Sequence, residues 1–258
     1  MTWTAAGSLR SSGSGMTGTS GTVPLSNVTA GNVIVLIAIA NGTGITTTGI
    51  TAGGCTWAQL GSAIAGVVNT PYSVSFWAGT ITATGTQTAT VSFSGTVSAN
   101  TYAAAWEFHS SVGTWFYDTS ARLDSAGTNA GPTLTAAGNG ELYAFFSDDS
   151  GAASAGSTSG YVYGVDSPDA NGYCYNLAYS GAPPIWGDSG HVFGGAVLLK
   201  EQSGNTPAGL ATGTGSSAGT ITSPYITYSG PNYPAVAVSV AASGAGYWSN
   251  PFLAEGPP

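Results

Sequence analysis

Glycine or proline interrupts almost every window of twelve residues in this chain, and the good helix formers Leu, Glu, Lys, Arg and Gln are scarce. In a helix interior glycine costs about 1 kcal/mol relative to alanine and proline about 3, so helices of ordinary length are excluded along nearly the whole sequence. Strand patterns take their place. "GNVIVLIAIANG" (31–42) is an unbroken apolar run between glycines, the pattern of a strand buried on both faces. "YSVSFWAGTITAT" (72–84) alternates, with Tyr72, Val74 and Phe76 on one face, and "TQTATVSFSG" (86–95) sets Ala89, Val91 and Phe93 opposite a row of hydroxyls. "TYAAAWEFHSS" (101–111), "GELYAFFSDD" (140–149), "GYVYGVD" (160–166), "GYCYNLAYSG" (172–181) and "HVFGGAVLLKEQ" (191–202) complete the set. Regular strands separated by Gly, Asn and Ser turns predict an all-β fold, an antiparallel β-sandwich of jelly-roll-like type.

Only 5% of the 258 residues are charged, against about 25% in ordinary domains. A disordered chain would be poor in aromatics, whereas this one has 7 Trp, 13 Tyr and 8 Phe, enough to build a core. Between Arg10 and Glu107 no charge occurs at all. Three cations against eleven acids give a net charge of −8, which excludes the clustered Lys and Arg that nucleic acid or an anionic membrane requires. The longest apolar run, Val33 to Ala40, is less than half a bilayer span, so membrane insertion is not expected. "MTWTAAGSLRSSGSG" has neither the charged start nor the apolar centre of a signal peptide, so export by that route is not expected either.

Residues 1–20 read as a flexible N-terminal segment, 21–202 as the sandwich, 203–223 as a Gly/Ser/Thr linker and 224–258 as a small C-terminal β module or arm. Within the sandwich the text repeats. "TAGNVIVLIAIANG" (29–42) matches "AAGNGELYAFFSDD" (136–149) at the shared Ala-Gly-Asn and the strand after it, and "NTYAAAWEFHS" (100–110) closes its half as "HVFGGAVLLKEQ" closes the other. Two intertwined half-units are the expected consequence. The C-terminal module is too short for a comfortable core of its own, so it is expected to pack on the sandwich or on a neighbouring subunit. Its aromatics Tyr225, Tyr228, Tyr233, Tyr247, Trp248 and Phe252 are candidates for a protein interface or, second, for stacking on sugars.

Residues able to carry chemistry are few. Gly187-Asp188-Ser189-Gly190 is the tetrapeptide around a protease nucleophile, and His191 and His109 are the available bases. In a chain this rich in Gly and Ser the tetrapeptide reads as a tight turn feeding the last strand, with His191 the first residue after it. Glu107, Glu141, Asp148, Asp149, Asp166, Asp169 and Asp188 could supply a carboxylate pair for glycoside hydrolysis, but no motif singles out two of them. "DSPDANG" (166–172) has part of a calcium loop, to which Asp148 and Asp149 could add ligands, without the Gly and Glu of the EF-hand spacing. Two histidines with no helical or CxxC partner give no transition-metal pattern. Cys55 and Cys174 are too few for a disulfide framework and read as buried free thiols. No catalytic residue, cofactor or metal is expected.

The strand text "GNVIVLIAIANG", "CTWAQLGSAIAG" (55–66), "YSVSFWAGTITATGTQTATVSFSG" (72–95) and "YAAAWEFHS" (102–110) resembles the Gly/Ala/Thr-rich β-sandwich modules of virion proteins from phages of actinobacteria. "TPAGLATGTGSSAGTIT" (206–222) resembles segments that recur in mycobacteriophage minor tail proteins. The resemblance implies a non-enzymatic structural or adsorption role, a location in the virion after assembly in the host cytoplasm, and homo-oligomers such as a trimer among other virion proteins. A capsid decoration or head-fibre protein is the alternative. A carbohydrate-binding module touching a host surface glycan is another.

Overall fold

The computed structural model describes residues 2–201 except 7–10, 14, 53, 114, 139, 151–152 and 167–170, and these belong to the first of two compact units, Met1–Leu210 and Ala211–Pro258. The expected linker and C-terminal module, with Tyr225, Tyr228, Tyr233, Tyr247, Trp248 and Phe252, lie outside the described residues.

No helix occurs among the described residues, which form fifteen strands in antiparallel sheets packed face to face. The first sheet is centred on β4 (Val33–Asn41), flanked by β10 (Tyr102–Ser110) and β8 (Tyr72–Ile81). Outside β8 lie β6 (Cys55–Gln59) and the short β7 (Ile64–Ala65); outside β10 lie β1 (Trp3–Ala5) and β2 (Ser11–Gly13). The second sheet runs β11 (Trp115–Thr128), β15 (His191–Glu201), β12 (Glu141–Asp149), β14 (Asn171–Tyr179), β13 (Tyr161–Asp166). The third consists of β3 (Gly18–Val28), β9 (Gly85–Val97) and β5 (Thr47–Ala52).

The first two sheets share one topology. Numbering within each half, both run first, fifth, second, fourth, third: β1-β10-β4-β8-β6 in one and β11-β15-β12-β14-β13 in the other. The textual repeat of 29–42 in 136–149 thus falls on equivalent strands, β4 and β12, and the two closing segments fall on β10 and β15. The halves are stacked rather than intertwined, because each builds its own sheet. Between its five shared strands the first half inserts β3, β5 and β9, so that the chain alternates between first and third sheets in the manner of a jelly roll.

The first sheet is therefore the middle layer, which explains the unbroken apolar text of β4. Val33, Val35, Ile37 and Ile39 pack toward the second sheet, and Ile34, Leu36, Ala38 and Ala40 toward the third. Each of the larger side chains, fully buried, contributes about 1.5–3 kcal/mol. Between the first and second sheets Trp106 meets Phe146 edge-on at 6.5 Å and Phe108 meets Tyr175 at 5.4 Å, so the central interface is aromatic. Gly195 of β15 lies in this interface, where a Cβ would stand 2.6 Å from Cζ of Phe76, so only glycine admits that ring.

Among the described residues no sheet covers the outer face of the second sheet. Tyr143, Phe145 and Cys174 on it are closed over by Leu134, Ala153 and Trp186 from connecting segments. The Tyr179 hydroxyl accepts from Leu134 N at 3.0 Å and donates to its carbonyl at 2.9 Å, and the Tyr143 hydroxyl donates to Pro132 O at 2.9 Å. Loops thus do here what β3, β9 and β5 do for the first sheet.

Two expectations are corrected. The start of the chain, expected to be a flexible segment over 1–20, contributes β1, β2 and the beginning of β3, and Trp3 is 1% exposed in the central core. Trp3 is a large apolar side chain that folding removes from water, and β1 gains backbone pairing to β10 as well. Cys174 is buried as expected, whereas Cys55 is only half-buried; both are free thiols.

Candidate functional site

Polar groups collect at the ends of the paired central strands. At one end Asp149 closes β12 and His191 opens β15, and the antiparallel register sets them side by side. Ser147, Asp149 and Phe145 share one face of β12 by the two-residue period of a strand. His191 has no exposed surface; its Nδ1 lies 2.6 Å from Asp149 Oδ1 and 2.8 Å from the Ser147 hydroxyl. The ring stands edge-on to Trp186 at 4.8 Å and to Phe145 at 5.9 Å. Asn171, opening β14, accepts from Asp149 N through its side-chain oxygen at 3.2 Å.

Asp188 reaches the same place from the preceding turn. It accepts Gly190 N at 3.1 Å, holding its own turn, and accepts Ser154 N from the covering loop. One ligand atom from each of Asp149, Asp188 and His191 fits within a span of 4.8 Å. Burial pushes the Asp149 carboxyl above its ordinary range; the hydrogen bond and charge of His191 pull it back, and the charge of Asp188 adds to the rise.

This geometry answers the motif. Ser189 is exposed in its turn, as expected of a loop serine, and the hydroxyl beside His191 belongs to Ser147. A nucleophile triad needs the carboxylate on one ring nitrogen and the serine on the other. Here both approach Nδ1, inside the core. His191 is thus more than the first residue after a turn: it is the centre of a buried polar cluster. Nothing local in the sequence marks Ser147 or Asn171 as members; only the strand register brings them in.

The remaining candidates are dispersed. His109 is exposed and its Nδ1 lies 2.9 Å from Asn32 Oδ1, while buried Glu107 accepts from Asn32 Nδ2 at 2.7 Å and Thr29 N at 2.8 Å, fixing the turn before β4. The carboxylate that faces Glu141 is Asp118, which pairs with Lys200 at 3.2 Å. Burial, then the Asp118 hydrogen bond and charge, push Glu141 up to about 7. Asp148 turns to the opposite face from Asp149 and bonds Tyr72, so the two do not converge as calcium ligands. Asp166 ends β13 opposite Asn171, and Asp169 lies outside the described residues.

No protein-family model matches the sequence, and no curated protein or solved structure matches it significantly.

Proposed function

We propose that this chain is a non-enzymatic structural protein of a phage virion, a minor tail protein acting in tail assembly or host adsorption. The observation that carries the assembly half of this reading is the open edge of the second sheet. Among the described residues β13 pairs on one side only, with β14, and Val162 and Val165 on it are 49% and 41% exposed. Ile185 nearby is 42% exposed, its backbone N–H held by the Tyr163 hydroxyl at 3.1 Å. An edge strand with bare valines is a template for pairing with another chain, and natural monomers usually blunt such edges with charge or proline.

Arg122 and Lys200, the Arg and Lys side chains among the described residues, are both engaged in ion pairs. Arg122 pairs with Asp124, and Lys200 pairs with Asp118 and lies 4.4 Å from the centre of the Phe116 ring. Asp124 also gathers the backbone N–H groups of Val67, Val68 and Asn69, tying the loop before β8 to the second sheet. Such internal locks suit a scaffold that must keep its shape. The virion assignment itself rests on the resemblance of the strand text and of 206–222 to phage proteins. Immunogold labelling of purified phage particles tests it: gold on the tail is expected, gold on the head selects the decoration or head-fibre alternative, and no gold on particles overturns the reading.

A further inference from the structure

We propose that Asp149, Asp188 and His191 form a binding site for one divalent transition-metal ion of the zinc class. The three residues come from the end of β12, the turn at 187–190 and the start of β15, and offer one ligand atom each within 4.8 Å.

Independent features of the surroundings point to a ligand. Among the described residues His191 Nε2, at a residue with no exposure, has no hydrogen-bond partner, and neither has Nδ2 of Asn171, which is 1% exposed and accepts from Asp149 N through its other side-chain atom. Buried polar atoms are seldom left unpartnered, because each costs roughly 1–3 kcal/mol. The cluster also sits against a glycine: a Cβ on Gly172 would stand 3.0 Å from Asp149 Oδ2 and 3.0 Å from His191 Cε1. The missing side chain lets the carboxylate, the imidazole and the Trp186 ring converge on this backbone.

Charge supports the same conclusion. Two carboxylates share the cluster, one of them with no exposed surface. The described basic side chains, Arg122 and Lys200, are committed to Asp124 and Asp118. A divalent cation would neutralise the pair. One imidazole nitrogen and two carboxylate oxygens match the donor set of four-coordinate zinc, with water completing the shell. Calcium wants six to eight oxygens, which these side chains do not supply. The ion would cross-link β12, β15 and the loop that covers the second sheet through Ser154. This revises the sequence reading, in which the histidines had no metal-binding pattern: the ligands are adjacent in the sheet and not in the chain.

The test is titration of the EDTA-stripped full chain with Zn2+ by calorimetry and with Co2+ by visible absorption. One equivalent of Zn2+, a Co2+ d–d spectrum and a raised Tm are expected. Asp188→Asn, at a partly exposed position, should weaken Zn2+ binding by at least about tenfold, His191→Gln should abolish it, and Asp118→Asn at the far end should leave it intact. Absence of saturable binding, preference for Ca2+, or Asp188→Asn binding like the parent would each overturn the site. If His191→Gln does not fold, Asp188→Asn decides alone.

Discussion

His191 Nδ1 lies 2.6 Å from Asp149 Oδ1, and neither side chain has any exposed surface. Removing one member of a buried polar pair leaves the other unsatisfied, which costs about 1–3 kcal/mol. Asp149→Ala should therefore lower the urea midpoint by that equivalent. Ser189→Ala, two residues from the same histidine but exposed, should change stability by less than about 0.5 kcal/mol. Equal effects of the two substitutions would mean that Ser189, not Ser147, is the hydroxyl that matters.

Glu141 supplies the pH signature. Its pKa is raised from 4.5 to about 7 in the folded chain. The folded state therefore holds a proton that the unfolded state releases, so this contribution is fully present below about pH 4.5 and is lost as pH rises through about 7. Denaturation at about pH 5 and about pH 8 should show the parent relatively weaker at the higher value, and Glu141→Gln should flatten that difference. Asp118 acts oppositely. Burial raises it, but Ala137 N, Glu141 and Lys200 together hold it below its ordinary value, so its contribution is lost as pH falls into the acid range.

Gly195 and Phe76 form a steric pair across the central interface. A Cβ at 195 meets Cζ of Phe76 at 2.6 Å, so Gly195→Ala should destabilise by about 1–3 kcal/mol through overpacking. The same substitution in a Phe76→Leu background should cost clearly less, since the double-mutant cycle removes the clash. Additive effects would place the strain elsewhere.

These pairs show what the sequence could and could not reveal. β4 was legible because a strand buried on both faces needs no alternation, and its eight apolar residues had no other soluble use. The equivalence of β4 with β12 was legible through Ala-Gly-Asn, which lies just before the corresponding strand in each sheet. β11 was missed, since Asp118, Arg122 and Asp124 interrupt its pattern; an edge strand tolerates such charges and here uses them as locks. The first residues of β3 read as part of the flexible start because Gly18, Thr19 and Ser20 carry no apolar side chain, while Val23, Leu25 and Val28 carry the strand's burial. The Asp149–His191 cluster had no local signal at all. Forty-two positions separate the two residues in the chain, and only the pairing of β12 with β15 joins them.

The central claim is that this chain is an assembling scaffold, with the β13 edge as a contact. Multi-angle light scattering of the full chain tests it directly, beside Val162→Lys/Val165→Lys. A discrete homo-oligomer that falls to a lower order in the double variant, with Tm unchanged, is the predicted result. A parent chain that is monomeric at every concentration, or an oligomer indifferent to both lysines, would contradict it.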